Sequence, residues 1–267
     1  MRKYSHWIVA LSLALTCSAF AADEPPKKAP SQSIGGVADA KDAGAVTGIV
    51  KFKGPKPQTK TLTDIAGLPY CKNCYKEGEL PHDPEFVLGK NGSDDTLANV
   101  LVYVSKGLDG KALTPPKEPA LLDQVGCMYT PHVVAVMVGQ TLAVKNSDAT
   151  MHNVMATPEE NSPFNFGMPA KDQVINKVFK HPELRMKVRC FMHPWMIGYV
   201  HVLDSPYFAV TGEDGSFTIK GLPPGEYELT VLHESSALQA TPETAKVKVT
   251  AGGTEKVDFT YEMKGKK

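Results

Sequence analysis

The chain has 267 residues, 29 acidic and 29 basic side chains, and 21 prolines. That balance offers no basic face for nucleic acid, and the length fills one large or two ordinary domains. No segment shows sustained helical periodicity, which excludes a helical bundle and points to an all-β protein.

The first element in chain order is an expected signal peptide at residues 1–21. Arg2 and Lys3 precede the apolar stretch Trp7 to Leu15, and Ala19-Phe20-Ala21 supplies small residues for cleavage. That stretch is too short for a membrane span, and no other run approaches the ~20 apolar residues a span needs. The expected location is therefore periplasmic or otherwise extracytoplasmic, with no transmembrane segment. Cleavage would remove Arg2 and Lys3, leaving an acidic excess of two, and would leave Cys71, Cys74, Cys127 and Cys190. In an oxidising compartment such cysteines default to disulfides. Residues 22–43 are rich in Pro, Ala, Lys and Gly and read as a disordered linker.

From Gly44 onward strand follows strand. Val46, Ile49, Val50 and Phe52 make the first, and Val100 to Val104 the second. Val133 to Val138 and Thr141 to Lys145 flank a Gly139-Gln140 turn, the pattern of a tight hairpin. Val174 to Phe179, Leu184 to Cys190 and Tyr199 to Leu203 complete a first domain, expected at 44–205. Residues 54–97 read as a long insertion within it, dominated by Gly, Pro, Lys and Asp. The insertion carries Cys71-Lys-Asn-Cys74, and the expected disulfide joins Cys127 to Cys71 or Cys74. A c-type haem site would need His where Tyr75 stands, and no helical pattern of the thioredoxin type follows.

A second domain is expected at 206–262. Phe217 and Ile219 alternate with polar residues, Leu222-Pro-Pro-Gly225 is a turn, and Tyr227, Leu229 and Val231 alternate again. Strands at Val247–Val249 and Val257–Tyr261 close a small sandwich with one buried face. The stretch from Gly215 to Leu229 resembles the carboxypeptidase regulatory-like (transthyretin-like) module, which implies a docking or assembly role and no chemistry of its own.

Chemistry concentrates in Arg189-Cys190-Phe191-Met192-His193-Pro194-Trp195-Met196. Thiolate, imidazole and thioether recur at three-residue spacing on a loop after a strand, and a loop can converge them on one ion. A second imidazole, His152, stands in Asn146-Ser-Asp-Ala-Thr-Met151-His152-Asn153-Val154. Two His, one Cys and a weak axial Met describe a blue-copper electron-transfer site. Structural zinc prefers several thiolates or imidazoles in a closed tetrahedron, which this set fits poorly. A lone strand Cys is ordinarily a small buried hydrophobe, so the inference rests on the combination.

This two-part motif resembles the cupredoxins, nearest in loop spacing to amicyanin and plastocyanin. The resemblance implies a Greek-key sandwich followed by the smaller transthyretin/Ig-like one, and a single copper ion cycling between Cu(I) and Cu(II). Carried over, His152, Cys190 and His193 would be ligands and Met196 the axial thioether. Asn153 would donate its backbone N–H to the thiolate. Met168, Pro169, Pro194 and Trp195 would form a docking edge around His193, facing a redox protein such as a cytochrome or dehydrogenase. His132, His82, His181, His201 and His233 read as ordinary hydrogen-bonded edge residues.

No paired His-x-His runs, G-x-S-x-G, H-E-x-x-H or P-loop occur, so no catalytic role is expected. Besides an electron carrier, two other roles fit. One is a copper storage or delivery module using Met151 and Met192, although both methionines read first as core or surface fillers. The other is a structural surface protein with a vestigial site.

Overall fold

The computed structural model describes residues 32–34, 42–76, 78–111 and 113–265. The expected signal peptide and most of the expected linker lie outside them. Five strands precede the middle of the chain: β1 (Gln32–Ile34), β2 (Gly44–Lys53), β3 (Leu88–Asn91), β4 (Asp94–Leu97) and β5 (Leu101–Lys106). The middle holds β6 (Ala120–Val125), β7 (Met128–Thr130), β8 (Val133–Met137), β9 (Thr141–Asn146) and β10 (His152–Ala156). It continues with β11 (Phe164–Met168), β12 (Gln173–Val178), β13 (Glu183–Arg189) and β14 (Ile197–Leu203). The remainder is β15 (Phe208–Val210), β16 (Ser216–Leu222), β17 (Gly225–Leu232), β18 (Leu238–Ala240), β19 (Thr244–Val249), β20 (Thr254–Lys256) and β21 (Phe259–Met263). The chain is all-β as expected, with a 3-10 turn at Thr63–Gly67 and, among the described residues, one short helix, α1 (Pro69–Asn73).

The middle strands form one sandwich, from the sheets β11-β10-β13-β14-β8 and β12-β9-β6-β7. Period-2 alternation buries one face of each sheet, and Leu122, Val134, Val136, Leu142, Val154, Val188 and Val200 meet in its core. A turn forms at Gly139-Gln140, with the Gln140 N–H donating to the Met137 carbonyl at 2.9 Å, but the expected hairpin does not: β8 pairs with β14 and β9 with β6 and β12, so the turn carries the chain from one sheet to the other.

The domain boundaries differ from those expected. β2 pairs with β16, β20 and β21 rather than with the middle sandwich, and β5 pairs with β15 and β17. Val46, Val50, Phe52, Val100 and Val102 share a core with Phe217, Ile219, Leu229 and Phe259. The second sandwich is thus built from both ends of the described chain, and the middle sandwich is inserted into it. A small antiparallel sheet from 206–262 alone lacks the area to cover its apolar face, and the N-terminal strands supply it. Within the stretch read as a disordered linker, Gln32–Ile34 add a strand along β15.

The expected insertion also divides. Leu62, Ile65 and Cys71 sink into the core of the middle sandwich, whereas the β3–β4 hairpin joins the sheet of β2. A third apolar cluster holds the two sandwiches together, with Val133, Ala135 and Leu203 meeting Leu101, Phe208 and Val210.

Beside that cluster lies a polar junction. His132 Nε2 stands 2.8 Å from a carboxylate oxygen of Glu234. An irregular register at the start of β13, with Arg185 at φ +58°, turns the Arg185 guanidinium towards the His233 carbonyl at 2.9 Å. The Arg185 N–H donates to His201 Nδ1 at 3.1 Å. His132, His201 and His233 are buried, so these three are junction residues rather than the edge residues their isolation in the sequence implied.

Candidate metal centre

Strand pairing brings the motif's two halves together. β10 lies between β11 and β13, with Met155 opposite Arg189, so His152 and Cys190 emerge at the same end of one sheet. β13 and β14 then pair from Arg189 and Ile197, which closes residues 190–196 into a tight loop. Inside it the Cys190 N–H donates to the Met196 carbonyl at 3.1 Å, and the Met196 N–H to the His193 carbonyl at 2.8 Å. His152, Cys190, His193 and Met196 are all buried.

Three donor atoms converge. His152 Nδ1 and His193 Nδ1 stand 2.9 Å apart, and Cys190 Sγ is 3.6 Å from His193 Nδ1. Metal–ligand bonds of about 2.0–2.3 Å give donor–donor separations of about 3–4 Å, so these atoms have the spacing of one coordination shell. The other nitrogen of His152 is occupied, since Nε2 lies 2.8 Å from Asp148 Oδ2. That pairing leaves Nδ1 to face the shell. Met196, at the end of the loop, is fully buried.

Hydrogen bonds tune the sulfur. The Asn153 backbone N–H donates to Cys190 Sγ at 3.5 Å, as the resemblance implied. Burial, the largest influence, pushes the Cys190 thiol up. Hydrogen bonds from His152, His193 and the Asn153 N–H outweigh it and bring the pKa down to about 6. For His152, burial disfavours the cation, but the Asp148 carboxylate overrides it and raises the pKa.

Several supports were not read from the sequence. Asp148 also accepts the backbone N–H groups of Gly126 and Cys127, both at 2.8 Å, and the Tyr70 hydroxyl at 3.4 Å. The Asn153 side chain accepts from the Phe191 N–H at 2.7 Å, and the Tyr129 hydroxyl donates to the Asn153 carbonyl at 2.7 Å. Asp148 stands four residues before His152, and that spacing was the available signal.

The expected docking edge is partly corrected. Met168 is fully buried, and Gln124 Nε2 donates to its sulfur at 2.9 Å, because its place opposite His152 in β11 points it inward. Trp195 is half-buried, with Nε1 donating to the Cys127 carbonyl at 3.0 Å. Pro169 and Pro194 are exposed. The large exposed apolar side chains next to the ligands are Met151 (45 %), Phe191 (61 %) and Met192 (51 %).

The insertion lies against the candidate ligands. Cys71, on α1, is disulfide-bonded to Cys127, and Cys74 carries a thiol. The sulfurs of Cys71 and Cys127 and a ring nitrogen of His193 all lie within 4.8 Å of one another. His193 is consequently only 3 % exposed.

Residues 199–262 match the family model of the carboxypeptidase regulatory-like domain. No curated protein matches the chain. Among solved structures, the chain is similar to a copper-containing nitrite reductase from Thermus scotoductus (20 % identity, TM-score 0.31), over 37 % of this chain and 25 % of that one. A purple cupredoxin from Nitrosopumilus maritimus is similar at 23 % identity and TM-score 0.26, over 31 % of this chain and 98 % of its own. An amicyanin variant in its Cu(I) form gives 20 % identity and TM-score 0.29, over 38 % and 97 %. The chain therefore spans about a quarter of the nitrite reductase. Among the described residues no helix is long and apolar enough to cross a membrane.

Proposed function

We propose that this chain is an exported type 1 copper protein that carries single electrons to and from a redox protein such as a cytochrome or dehydrogenase. One observation carries the reading: His152 Nδ1, His193 Nδ1 and Cys190 Sγ face one another in a buried shell. One neutralisable thiolate, two imidazoles and a nearby thioether are the donor set that suits copper.

Bound copper supplies a one-electron couple. The protein supplies the rest. His152, Cys190, His193 and Met196 would hold the ion. Asp148 fixes the His152 ring, and the Asn153 N–H withdraws charge from the sulfur. The sheet and the short loop keep the donors in place between oxidation states, so little reorganisation accompanies each transfer. Pro169, Pro194, Phe191 and Met192 offer an apolar surface for a partner.

The test is the visible spectrum of the mature chain with added Cu(II), beside Cys190→Ser. The expected result is an intense thiolate-to-copper band that the variant lacks. A colourless wild-type chain that takes up no Cu(II) overturns the reading. Storage or delivery of copper is a second reading, favoured by the exposed thioethers of Met151 and Met192. A colourless chain that still binds Cu(I) would select it.

A further inference from the structure

The second sandwich reaches the strand that ends the candidate ligand loop. β14 begins at Ile197, next to Met196, and His132 grips its first residues. His132 Nδ1 lies 3.1 Å from the Ile197 carbonyl oxygen, and the Tyr199 N–H donates to the His132 carbonyl at 2.9 Å. Between these two contacts, a Cβ built on Gly198 would stand 3.0 Å from the His132 carbonyl oxygen, so the backbones approach closely there. The Tyr199 ring packs edge-on against the His132 ring, with centroids 5.8 Å apart.

Glu234 fixes the ring from the other side. Its carboxylate oxygens lie 2.8 Å and 2.9 Å from His132 Nε2, and its side chain is only 3 % exposed. A carbonyl only accepts, so Nδ1 carries a hydrogen towards Ile197. Nε2 and the carboxylate then share one further proton, and the ring is hydrogen-bonded at both ends whichever of them holds it. The segment around Glu234 is itself anchored. Arg185 donates to the His233 carbonyl at 2.9 Å, the Ser235 N–H donates to His233 Nδ1 at 3.0 Å, and the His233 ring stacks on Phe86. Apolar side chains of the same volume would join the sandwiches as well as a buried polar pair does, as the neighbouring Val133, Leu203 and Phe208 show. Apolar side chains cannot supply a directional hold on the Ile197 carbonyl.

Ile197 is where the loop is tied. Arg189 pairs with Ile197, and inside the loop the Cys190 N–H reaches the Met196 carbonyl. We propose that Glu234 and His132 are positioning residues, through which the second sandwich sets the end of the loop that carries Cys190, His193 and Met196. The inference rests on the copper reading of that loop. A loop end released from His132 lets the donors relax towards the tetragonal arrangement that Cu(II) prefers. That relaxation stabilises the oxidised form and lowers the reduction potential. The second sandwich thereby takes part in electron transfer without contributing a donor atom.

Three variants of the mature full-length chain test it. Glu234→Ala frees the His132 ring. Glu234→Gln keeps the ring in place, because its amide N–H donates to Nε2 of a neutral imidazole. The double variant Glu234→Leu with His132→Phe fills the space with apolar side chains, so the sandwiches stay joined while the hold on Ile197 is lost. Hydrogen exchange of the metal-free chain is read at the Cys190, Met196 and Tyr199 amides, relative to Val188 in the same sheet. The reduction potential of the copper-loaded chain is read by redox titration. In Glu234→Ala and in the double variant, the three amides should exchange about tenfold faster relative to Val188. The potential should fall by about 59 mV, the one-electron equivalent of a tenfold shift in Cu(II) over Cu(I) affinity. Glu234→Gln should match wild type in both readouts, and the double variant should keep a urea midpoint at or above that of Glu234→Ala. Wild-type exchange and potential in the double variant overturn the proposal. So does Glu234→Gln behaving like Glu234→Ala, which would make the charge and not the position the cause. A wild-type chain that takes up no Cu(II) sinks the copper reading itself, and the exchange rates still decide whether Glu234 and His132 set the loop.

Discussion

Asp148 Oδ2 lies 2.8 Å from His152 Nε2 and 2.8 Å from the backbone nitrogen of Cys127, so one carboxylate holds a ligand ring and the half-cystine turn together. Both bonds are buried, where a carboxylate left without partners is costly and one with several donors is well accommodated.

Asp148→Ala removes that anchor. Partners that orient a ligand imidazole are worth about 10–100-fold in metal affinity, and a fall of that size is expected in a Cu(II) titration. The Gly126 and Cys127 N–H groups lose their acceptor as well, at about 1–3 kcal/mol for each left unsatisfied. Urea unfolding of the metal-free chain should register that loss separately. Unchanged affinity would show that the sheet alone orients His152.

The Cys71–Cys127 disulfide closes a loop of 56 residues. Chain-entropy arguments assign such a loop about 4 kcal/mol. The double variant Cys71→Ala with Cys127→Ala should therefore lower the urea midpoint of the metal-free chain substantially. Because Leu62, Ile65 and Cys71 anchor the insertion in the core, the same variant should speed hydrogen exchange in residues 62–76 before the remaining strands. Uniform acceleration across the middle sandwich would refute a local cap.

The junction between the sandwiches makes a pH prediction. His201 and His233 are buried, with Arg185 beside both and His132 beside His233, and their pKa values fall to about 3 through burial first and those charges second. A histidine whose folded pKa lies below its unfolded value of about 6.5 loses stability as pH falls, because the unfolded chain binds the proton more readily. The window runs from about pH 6.5 down to 3, at up to about 1.4 kcal/mol per pH unit for each ring. Glu234, raised by burial and faced by His132, Glu85 and Asp83, acts in the opposite sense but is a single group. Urea midpoints should drop between pH 7 and pH 4.5. His201→Gln with His233→Gln should flatten the drop, and an equal slope in wild type and variant would remove these rings from the account.

Legibility in the sequence followed the range of each interaction. Cys190, His193 and Met196 share one loop, and His152 carries a local Asn-x-Asp signature, so the candidate cluster was readable without any tertiary knowledge. Strand existence was readable too, because alternation at Val46, Val50 and Phe52 reports a buried face. Alternation does not name the partner strand. β2 would look the same paired with the middle sandwich or, as it is, with β16 and β21. His201 and His233 were illegible for the same reason: each is an isolated histidine until β13, β14 and the end of β17 are brought together. Asp148 was on the page in the Asn146–Val154 run, but only the fold reveals that its carboxylate reaches both His152 and the Cys127 turn.

Phe191 tests where electrons cross the surface. Its side chain is 61 % exposed between two buried ligands, while its backbone N–H holds Asn153 Oδ1 at 2.7 Å. Phe191→Ser keeps that backbone bond and removes only the exposed ring, so stability should stay within about 0.5 kcal/mol. The visible spectrum should also be unchanged. A buried aromatic anchor at an interface is worth at least about 1.4 kcal/mol, which corresponds to about tenfold in association. Reduction of a c-type cytochrome by the Cu(I) protein should therefore slow by about tenfold, with reduction of ferricyanide unaffected. His193 is covered by the Cys71–Cys127 cap, so its ring has little direct access to a partner. If Phe191→Ser leaves both rates alone, the crossing point lies instead at Pro169 and Met151 on the His152 side, and the same pair of rates measured on Met151→Ser decides it.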